Sequence, residues 1–303
     1  MMCFPRGMHG GSTSIVAILN ATAGGASDAT ERVSAAFAAQ GAAAQVLTAA
    51  TGDALQDAAR TALAAGASAV AAGGGDGTVS AVASVLAGTG VSLGILPLGT
   101  LNHFAKDLGL PLDLNTAVEV ILKNRPASVD AAEVNGRIFV NNSSLGLYPM
   151  LVQQRELHQS LGRGKWPAFV WAGLSALRWY PFLTLRIETA GRKLLRRTPF
   201  LFIGNNVYDI QGFRIGSRVS ISEGQMCIYG LHRTGRLALA RLALSALFGR
   251  LHNQRDFDSL CATEVWIDSP RRRLHVAVDG EVTVMRPPLH YLIRPGALRV
   301  LLP

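Results

Sequence analysis

Three separated segments of the chain carry residue types suited to handling phosphate. Gly73–Thr78 has the sequence GGGDGT directly after an apolar run, and residues 97–102 have the sequence PLGTLN. Glycines let the backbone turn sharply and approach a ligand, and the start of a following helix offers free N–H groups and a positive dipole end. Late in the chain, VDGE places Asp279 and Glu281 on one turn. Together these residues could bind nucleotide phosphates and supply a carboxylate base.

Each segment taken alone also has a purely structural explanation. GGGDGT is neither a Walker A loop nor a GxGxxG dinucleotide fingerprint, and a tight strand-to-helix turn would use the same glycines. VDGE is a common hairpin turn with Asp-Gly at its corner. PLGTLN by itself is a loop before a helix start. Only the combination of the three is specific.

The first 125 or so residues must position the two glycine segments. The apolar runs SIVAILN, AAAQVLTA, SAVAAG and VSLGILPLG predict strands, and the stretches between them predict helices at about 29–40, 53–65 and 79–86. This alternation favours a parallel sheet with helices on both faces, whose carboxyl-end loops open into one crevice. Beyond about residues 126–131 the pattern changes to short, hairpin-like strands bounded by Gly, Asn or Pro, which indicates a second, β-rich domain.

Composition and charge narrow the class of protein. The 303 residues are 49% hydrophobic and 16% charged, which suits about two packed domains and excludes a disordered chain. Residues 1–130 carry six basic and nine acidic side chains, a net −3, whereas residues 131–303 carry 23 and 11, a net +12. Residues 155–197 alone hold nine basic side chains and two acidic ones. The second half is therefore expected to meet an anionic membrane surface or nucleic acid, with a solvated basic face as the plain alternative.

The three cysteines, Cys3, Cys227 and Cys261, are odd in number and far apart. Their spacing predicts neither a disulfide framework nor a metal-binding pair, and it favours a reducing compartment. Residues 1–12 lack the apolar run of a signal peptide, and they are predicted to be a disordered leader.

Two apolar stretches in the second half are predicted to be helices. Residues 166–185 contain Pro167, Arg178 and Pro181, so they do not predict a membrane span. Their three tryptophans suit an interfacial or substrate-facing helix, and a core helix is the alternative. Residues 237–251 are predicted to be a helix packed in the core.

The order and spacing of the motifs resemble the diacylglycerol kinase catalytic-domain family, which includes bacterial soluble lipid kinases, sphingosine kinases and ceramide kinases. The resemblance rests on GGGDGT, PLGTLNHFAKDLGLP and VDGE, and NNSSLG at 141–146 is similar to the opening of the family's second domain. It implies a Rossmann-like three-layer α/β/α domain over residues 13–128, similar to NAD kinase and diacylglycerol kinase. A C-terminal β-sandwich would follow over residues 129–303, with the active site in the cleft between the domains and the last strand able to return to the first domain.

The resemblance also implies an activity: ATP-dependent transfer of the γ-phosphoryl group to a lipid hydroxyl, on a diacylglycerol-like or sphingoid acceptor, with Mg²⁺. The implied nucleotide contacts are Asn20, Thr48, Gly74, Gly75, Asp76, Gly77, Thr78 and Thr100. The proton acceptor would be Glu281, with Asp279 orienting it or the metal, and Asp76 would help to place Mg²⁺. A second-domain cation site would involve Ser220, Glu223 and Gln225.

Three departures from the family pattern keep other functions open. Ala21 stands where the family has Pro, His103 where it often has Asp, and Glu223 where it commonly has Asp. The alternatives are an NAD kinase-like enzyme acting on a soluble dinucleotide and a non-catalytic nucleotide- or lipid-binding regulator. We expect a cytoplasmic protein that binds its lipid substrate peripherally at an anionic membrane and does not bind nucleic acid. A homodimer is one option for its oligomeric state.

Overall fold

The computed structural model describes residues 14–21, 26–146, 182–211, 214–218, 220–231 and 257–303. The predicted leader, the predicted helix at 237–251 and most of the one at 166–185 lie outside these residues. The helices are α1 (Ala26–Ala39), α2 (Gly52–Ala64), α3 (Asp76–Leu86), α4 (His103–Asp107) and α5 (Leu114–Lys123). The strands of the first half are β1 (Ile15–Asn20), β2 (Gln45–Ala49), β3 (Ala69–Gly74), β4 (Ser92–Pro97), β5 (Pro126–Val134), β6 (Arg137–Phe139) and β7 (Asn142–Gly146). The later strands are β8 (Leu183–Thr189), β9 (Arg192–Thr198), β10 (Phe200–Asn205), β11 (Tyr208–Gln211), β12 (Arg214–Arg218), β13 (Met226–Leu231), β14 (Phe257–Ala262), β15 (Glu264–Asp268), β16 (Leu274–Val278), β17 (Glu281–Met285) and β18 (Leu289–Leu301).

The first domain is a parallel sheet in the order β2-β1-β3-β4 with helices on both faces. Strand β1 is covered by helices on both faces of the sheet, and its sequence explains why. Ile15, Ala17 and Leu19 belong to the core shared with α1 and α5, whereas Val16 and Ile18 belong to the core shared with α2 and α3. Side chains alternate across a strand, so an unbroken apolar run is buried on both sides. The result is a three-layer α/β/α arrangement.

The second domain is a sandwich of two sheets. One sheet is antiparallel, in the order β14-β13-β10-β7-β16-β17, and it packs on β18, β15, β8 and β5 of the larger sheet. The shared core contains Leu145, Leu185, Ile228, Val265 and Val276. The predicted combination of a Rossmann-like domain and a β-sandwich is confirmed.

Two strands run through both domains. The first part of β18 pairs with β15, and its Arg299 and Val300 pair in parallel with β4, while β5 lies antiparallel to β18 along most of its length. Strand β18 bends at Gly296, whose φ is +61°. Buried Asp130 of β5 accepts hydrogen bonds there from the Gly296 N–H at 2.8 Å and the Gly224 N–H at 2.7 Å. One carboxylate thus fixes the bend and the loop before β13.

Local structure departs from the sequence predictions in three places. Helix α3 begins at Asp76, three residues before its predicted start. Helix α4 begins where a helix start was expected after PLGTLN, whereas α5 was not predicted. Helix α5 has a clear start signal, since Asp113 accepts a hydrogen bond from the Thr116 N–H at 2.9 Å. That bond lowers the pKa of Asp113. Strand β8 begins at Leu183, so the end of the predicted helix at 166–185 is strand.

The prediction that the cysteines form no disulfide was wrong. Cys227 of β13 lies directly opposite Cys261 of the edge strand β14, and the two form a disulfide. They are 34 residues apart in the chain, and only the antiparallel pairing of β13 with β14 brings them together. Among the described residues, no helix is both long and apolar enough to cross a bilayer.

Candidate active site

The two glycine segments predicted from the sequence lie against each other. The Gly99 N–H donates a hydrogen bond to the Gly74 carbonyl at 3.0 Å. A side chain at position 99 would overlap the Gly75 backbone, so glycine is needed for this close approach. The loops after β3 and β4 therefore form one continuous backbone surface.

Asp76 fastens the second loop to the first. Its carboxylate accepts hydrogen bonds from the His103 N–H at 3.1 Å and the Phe104 N–H at 2.9 Å, at the start of α4. Asn102, in a left-handed conformation with φ +47°, donates to the Gly99 carbonyl at 2.8 Å. The Asp76 contact uses only the backbone of residue 103, so histidine at this position preserves it.

Most of the other predicted nucleotide contacts surround the same crevice. Asn20, at the end of β1, donates to the Thr78 hydroxyl at 3.2 Å, and Thr78 is buried. Thr48 near the end of β2 and Thr100 after β4 are exposed. Gly77 is exposed, and a Cβ placed on it would meet no atom within 4 Å. Open space thus lies above the start of α3.

Helix α3 begins without a side-chain cap. Its N-cap residue Gly75 has extended backbone and offers no side-chain hydrogen bond. The first N–H groups of a helix have no partner within the helix, and together with the dipole they favour an anion. Helix α3 is eleven residues long, and the geometry at its start suits a phosphate group.

The VDGE segment forms a tight hairpin, as the structural explanation of the motif predicted. Asp279 and Gly280 have φ of +47° and +88° and form a two-residue turn between β16 and β17, with Val278 paired to Glu281. Such a turn requires positive φ at both central residues, which Asp-Gly tolerates.

Asp279 is a positioning residue in this structure. Its carboxylate accepts hydrogen bonds from the backbone N–H groups of Val140, Asn141 and Asn142 at 2.8 to 2.9 Å, and from the Ser80 hydroxyl of α3. Burial raises the pKa of Asp279, and these four hydrogen bonds oppose the rise. The side chain thus joins the helix after the glycine loop to the strand segment before β7, and its oxygens are already engaged.

Glu281 projects from the same hairpin into a different environment. One of its oxygens lies 2.6 Å from a guanidinium nitrogen of Arg137, and the other faces Gly52 at the start of α2. Arg137 follows a second two-residue turn at Asn135-Gly136, where Asn135 exchanges hydrogen bonds with the His290 backbone. The Arg137 and Glu281 side chains are 39% and 54% exposed, so both are open to a ligand.

A cavity of about 610 Å³ lies between the two domains, next to Glu281. The first domain supplies Gly52, Asp53, Gln56, Arg60, Leu63, Gly77, Ser80, Ala81, Ser84 and Val85 to its wall. The second half of the chain supplies Gly136, Arg137, Ile138, Val278, Asp279 and Glu281. Gly77 of the glycine loop and Glu281 therefore face one shared space, although 204 positions separate them in the sequence.

Two arginines of this region were missed by the sequence analysis. Arg137 has a partial signal, because Asn-Gly between apolar runs predicts a hairpin, but its pairing with Glu281 is tertiary. Buried Arg218 lies 2.8 Å from Asp107, donates to the Val140 carbonyl at 2.6 Å and stands over the Phe104 ring. It ties α4 to the second domain, and no sequence pattern marks it.

The predicted cation segment does not have the geometry of a resident magnesium site. The Gln225 amide donates to Glu223 at 3.0 Å, and the Ser220 hydroxyl accepts from the Ser222 N–H at 3.4 Å. Magnesium needs about six oxygen ligands in near-octahedral geometry, and Asp130 nearby is engaged by Gly224 and Gly296. Within the described part of the chain, no group of three or more His, Cys, Asp or Glu side chains could hold a metal ion.

Comparison with known proteins agrees with this architecture. Residues 14–134 match the diacylglycerol kinase catalytic domain, and residues 152–302 match the YegS C-terminal NAD kinase beta sandwich-like domain. A "probable lipid kinase YegS-like" protein of Pseudomonas syringae pv. tomato is 31% identical over 80% of this chain and 78% of its own length. Another of that name from Pseudomonas aeruginosa is 32% identical over 80% and 79%.

Solved structures give the same fold. A putative diacylglycerol kinase from Bacillus anthracis superposes with a TM-score of 0.70 at 22% identity, covering 96% of this chain and 97% of the other. The domain matches and the sequence relatives show the family, and the structural match shows the fold. The chain belongs to the diacylglycerol kinase catalytic-domain family of lipid kinases.

Proposed function

We propose that this protein transfers the γ-phosphoryl group of ATP to the hydroxyl of a lipid, diacylglycerol-like or sphingoid. The observation that carries the proposal is the shared cavity, whose wall includes both Gly77, at the uncapped start of α3, and Glu281. The names of the relatives, which describe lipid kinases, support the substrate class.

In this proposal the first domain binds ATP. The phosphates lie over the glycine loop, with its exposed N–H groups as donors. The remaining nucleotide contacts come from the residues named from the sequence: Asn20, Thr48, Gly74, Gly75, Gly77, Thr78 and Thr100. Asp76 acts by holding the two loops together, because both of its oxygens accept backbone hydrogen bonds. Mg²⁺ bound together with ATP would supply neutralisation of the phosphate charge.

The second domain supplies the base. Glu281 accepts the proton of the lipid hydroxyl, whose oxygen forms a bond to the γ-phosphorus while the bond from that phosphorus to the bridging oxygen breaks and ADP leaves. Arg137 orients the Glu281 carboxylate through their ion pair. Asp279 holds the hairpin and α3 in register, so that base and phosphate meet in a fixed geometry.

The proposal also includes association with an anionic membrane. Residues 131–303 carry a net charge of +12, and a lipid acceptor is presented at a bilayer surface. The protein would bind there peripherally, from the cytoplasm.

The test is phosphate transfer from labelled ATP to a panel of diacylglycerol, sphingosine and ceramide in mixed micelles. We expect Glu281→Gln to lower turnover about a hundredfold or more with ATP affinity retained, which is the usual contribution of a general base. Glu31→Gln, at an exposed carboxylate on α1, is the matched control and should leave turnover unchanged. Equal activity of Glu281→Gln and wild type would refute the assignment.

A soluble acceptor is the rival outcome. The second-domain match carries the description NAD kinase beta sandwich-like, so NAD belongs in the panel as an acceptor without lipid. Phosphorylation of NAD alone would replace the lipid kinase assignment. Binding of ATP without transfer to any acceptor would support the regulator that the Ala21, His103 and Glu223 departures left open.

A further inference from the structure

One edge of the sandwich combines unpaired positive charge with exposed apolar surface. Strand β9 is the last strand of the large sheet, and it has the sequence RKLLRRT. Leu195 in its centre is 71% exposed, the highest value among the large exposed hydrophobic residues described. An isolated exposed leucine needs no explanation, but here four basic side chains flank it on the same strand.

The charges of this edge are only partly neutralised. Lys193 pairs with Glu188 at 2.8 Å, and Arg196 pairs with Asp258 at 2.9 Å. Within the described residues, no ion pair forms at Arg192 or Arg197, and the Arg197 guanidinium stands 5.3 Å from the centre of the Phe182 ring. Both guanidinium groups are exposed and have no acidic partner among the described residues, which suits an anionic ligand.

A second cavity lies beside the same strand. Its volume is about 450 Å³, and it lies where β9 and β14, the edge strands of the two sheets, leave the sandwich open. Among the residues that the structure describes, this cavity shares no lining residue with the one that contains Glu281. Its apolar wall consists of Ile187, Leu194, Leu195, Leu201, Ile228 and Leu260. Arg192, Arg196 and Arg197 line it as well.

Protection against edge-to-edge pairing explains part of this pattern. Native edge strands often carry Lys or Arg for that purpose. Protection against edge-to-edge pairing does not explain the exposed leucine among the charges, and it does not explain the apolar cavity next to them. Basic groups around aliphatic surface match a phospholipid layer, in which phosphates lie at the level of the interface and acyl chains lie below it.

We propose that the β9 edge binds an anionic phospholipid membrane. Arg192 and Arg197 contact lipid phosphates, Leu195 enters the interface between headgroups and acyl chains, and the cavity behind Leu194 accepts part of one acyl chain. The inference deepens the proposed function, on which it rests, by naming the surface that meets the lipid.

The experiment is cosedimentation of the full chain, without ATP, with vesicles of phosphatidylcholine alone and with about 30 mol% phosphatidylglycerol, an anionic lipid. We expect binding only to the anionic vesicles, weakened between about 0.1 M and about 0.5 M NaCl. Arg192→Gln/Arg197→Gln should lower the partition coefficient about thirtyfold, since each basic residue near the surface contributes about 1 kcal/mol. Leu195→Gln should lower it about fivefold.

Arg271→Gln/Arg273→Gln is the charge-matched control. It removes two exposed arginines from the turn before β16 and should change the partition coefficient by less than about twofold. An equal loss in this control would show that only net charge matters, and it would overturn the proposal. Wild-type failure to bind anionic vesicles, or undiminished binding by the β9 variants, would overturn it as well.

A kinase assay separates this inference from the proposed function. On a short-chain, water-soluble diacylglycerol the β9 variants should turn over like wild type, whereas on long-chain diacylglycerol in vesicles they should lose activity in proportion to binding. If the wild-type protein binds anionic vesicles through β9 but phosphorylates no lipid, the proposed function is refuted and the membrane-binding surface is supported. If the protein phosphorylates lipid but its vesicle binding does not depend on β9, the proposed function is supported and the β9 surface is refuted.

Discussion

Replacement of Asp279 by Asn tests whether this carboxylate joins the two domains. The side chain keeps its size, but its amide nitrogen can no longer accept a hydrogen bond. The two N–H groups on one oxygen, from Asn141 and Asn142, can keep an acceptor, whereas the Val140 N–H on the other oxygen cannot. An unsatisfied buried N–H costs about 1–3 kcal/mol, and each retained bond weakens by about 1 kcal/mol when its acceptor loses charge. The neutral amide avoids the desolvation cost of a buried carboxylate, and this gain offsets part of the loss.

The expected result is a loss of about 2–4 kcal/mol in the free energy of unfolding, measured by urea titration followed by circular dichroism. Ser80→Ala removes a single hydroxyl donor to the same oxygen as Val140 and should cost about 1.5 kcal/mol. The double variant should lose less than the sum, because both changes remove one shared bond. Asp268→Asn is the control, since its exposed ion pair with Arg186 should contribute less than about 0.5 kcal/mol.

The reasoning fails if Asp279→Asn unfolds at the same urea concentration as wild type. It fails equally if Asp268→Asn is as damaging as Asp279→Asn, because the cost would then not come from the hydrogen bonds described. Strict additivity of Ser80→Ala and Asp279→Asn would show that the two side chains act independently.

Three further predictions concern the loops, the ion pair and the buried phenols. Gly99→Ala should cost about 3 kcal/mol in a urea titration, because its methyl group would overlap backbone, whereas Gly77→Ala should keep its stability within about 0.5 kcal/mol and weaken ATP binding measured by calorimetry. Arg137→Met should lower kcat about tenfold in the lipid kinase assay, and Arg137→Lys should recover part of it, because the ion pair orients the proposed base. Burial raises the pKa of Tyr208 and of Tyr291 above the unfolded value of about 10. Both phenols thus stabilise the fold below pH of about 10, and this stability is lost as the pH rises further, which an ultraviolet phenolate titration alongside circular dichroism would follow.

Each of these has a contrary outcome. Normal stability of Gly99→Ala would mean that the loops are not in backbone contact. Equal kcat for Arg137→Met and wild type would mean that the ion pair breaks before chemistry. Ionisation of all five tyrosines while the fold persists would contradict the burial of Tyr208 and Tyr291.

The sequence was informative where local pattern and burial coincide. The alternation of apolar runs with alanine-rich stretches predicted the parallel sheet, because strands covered on both faces need unbroken apolar sequence. The glycine loop was recognisable because the strand before it is fully buried and the helix after it starts at once. The VDGE corner was likewise predictable, since Asp-Gly is a strong signal for a two-residue turn.

Contacts between distant segments were not predictable. The Cys227–Cys261 pair depends on the register of two strands, which spacing in the sequence does not reveal. Arg137 meets Glu281 because two separate hairpins place the residue after each turn at the same point. Short helix α4 lacks the length for a periodic pattern, and its start depends on the Asp76 carboxylate from another loop.

The strands common to both lobes limit how the molecule can be divided. A fragment ending near residue 125 would lack β5 and the β18 residues Arg299 and Val300, so β4 would present a bare row of amide groups. An exposed edge strand of this kind can pair with strands of other chains and cause aggregation. Because β5 and β18 are hydrogen-bonded to each other and β18 also pairs with β4, two paired strands join the domains rather than a single linker segment.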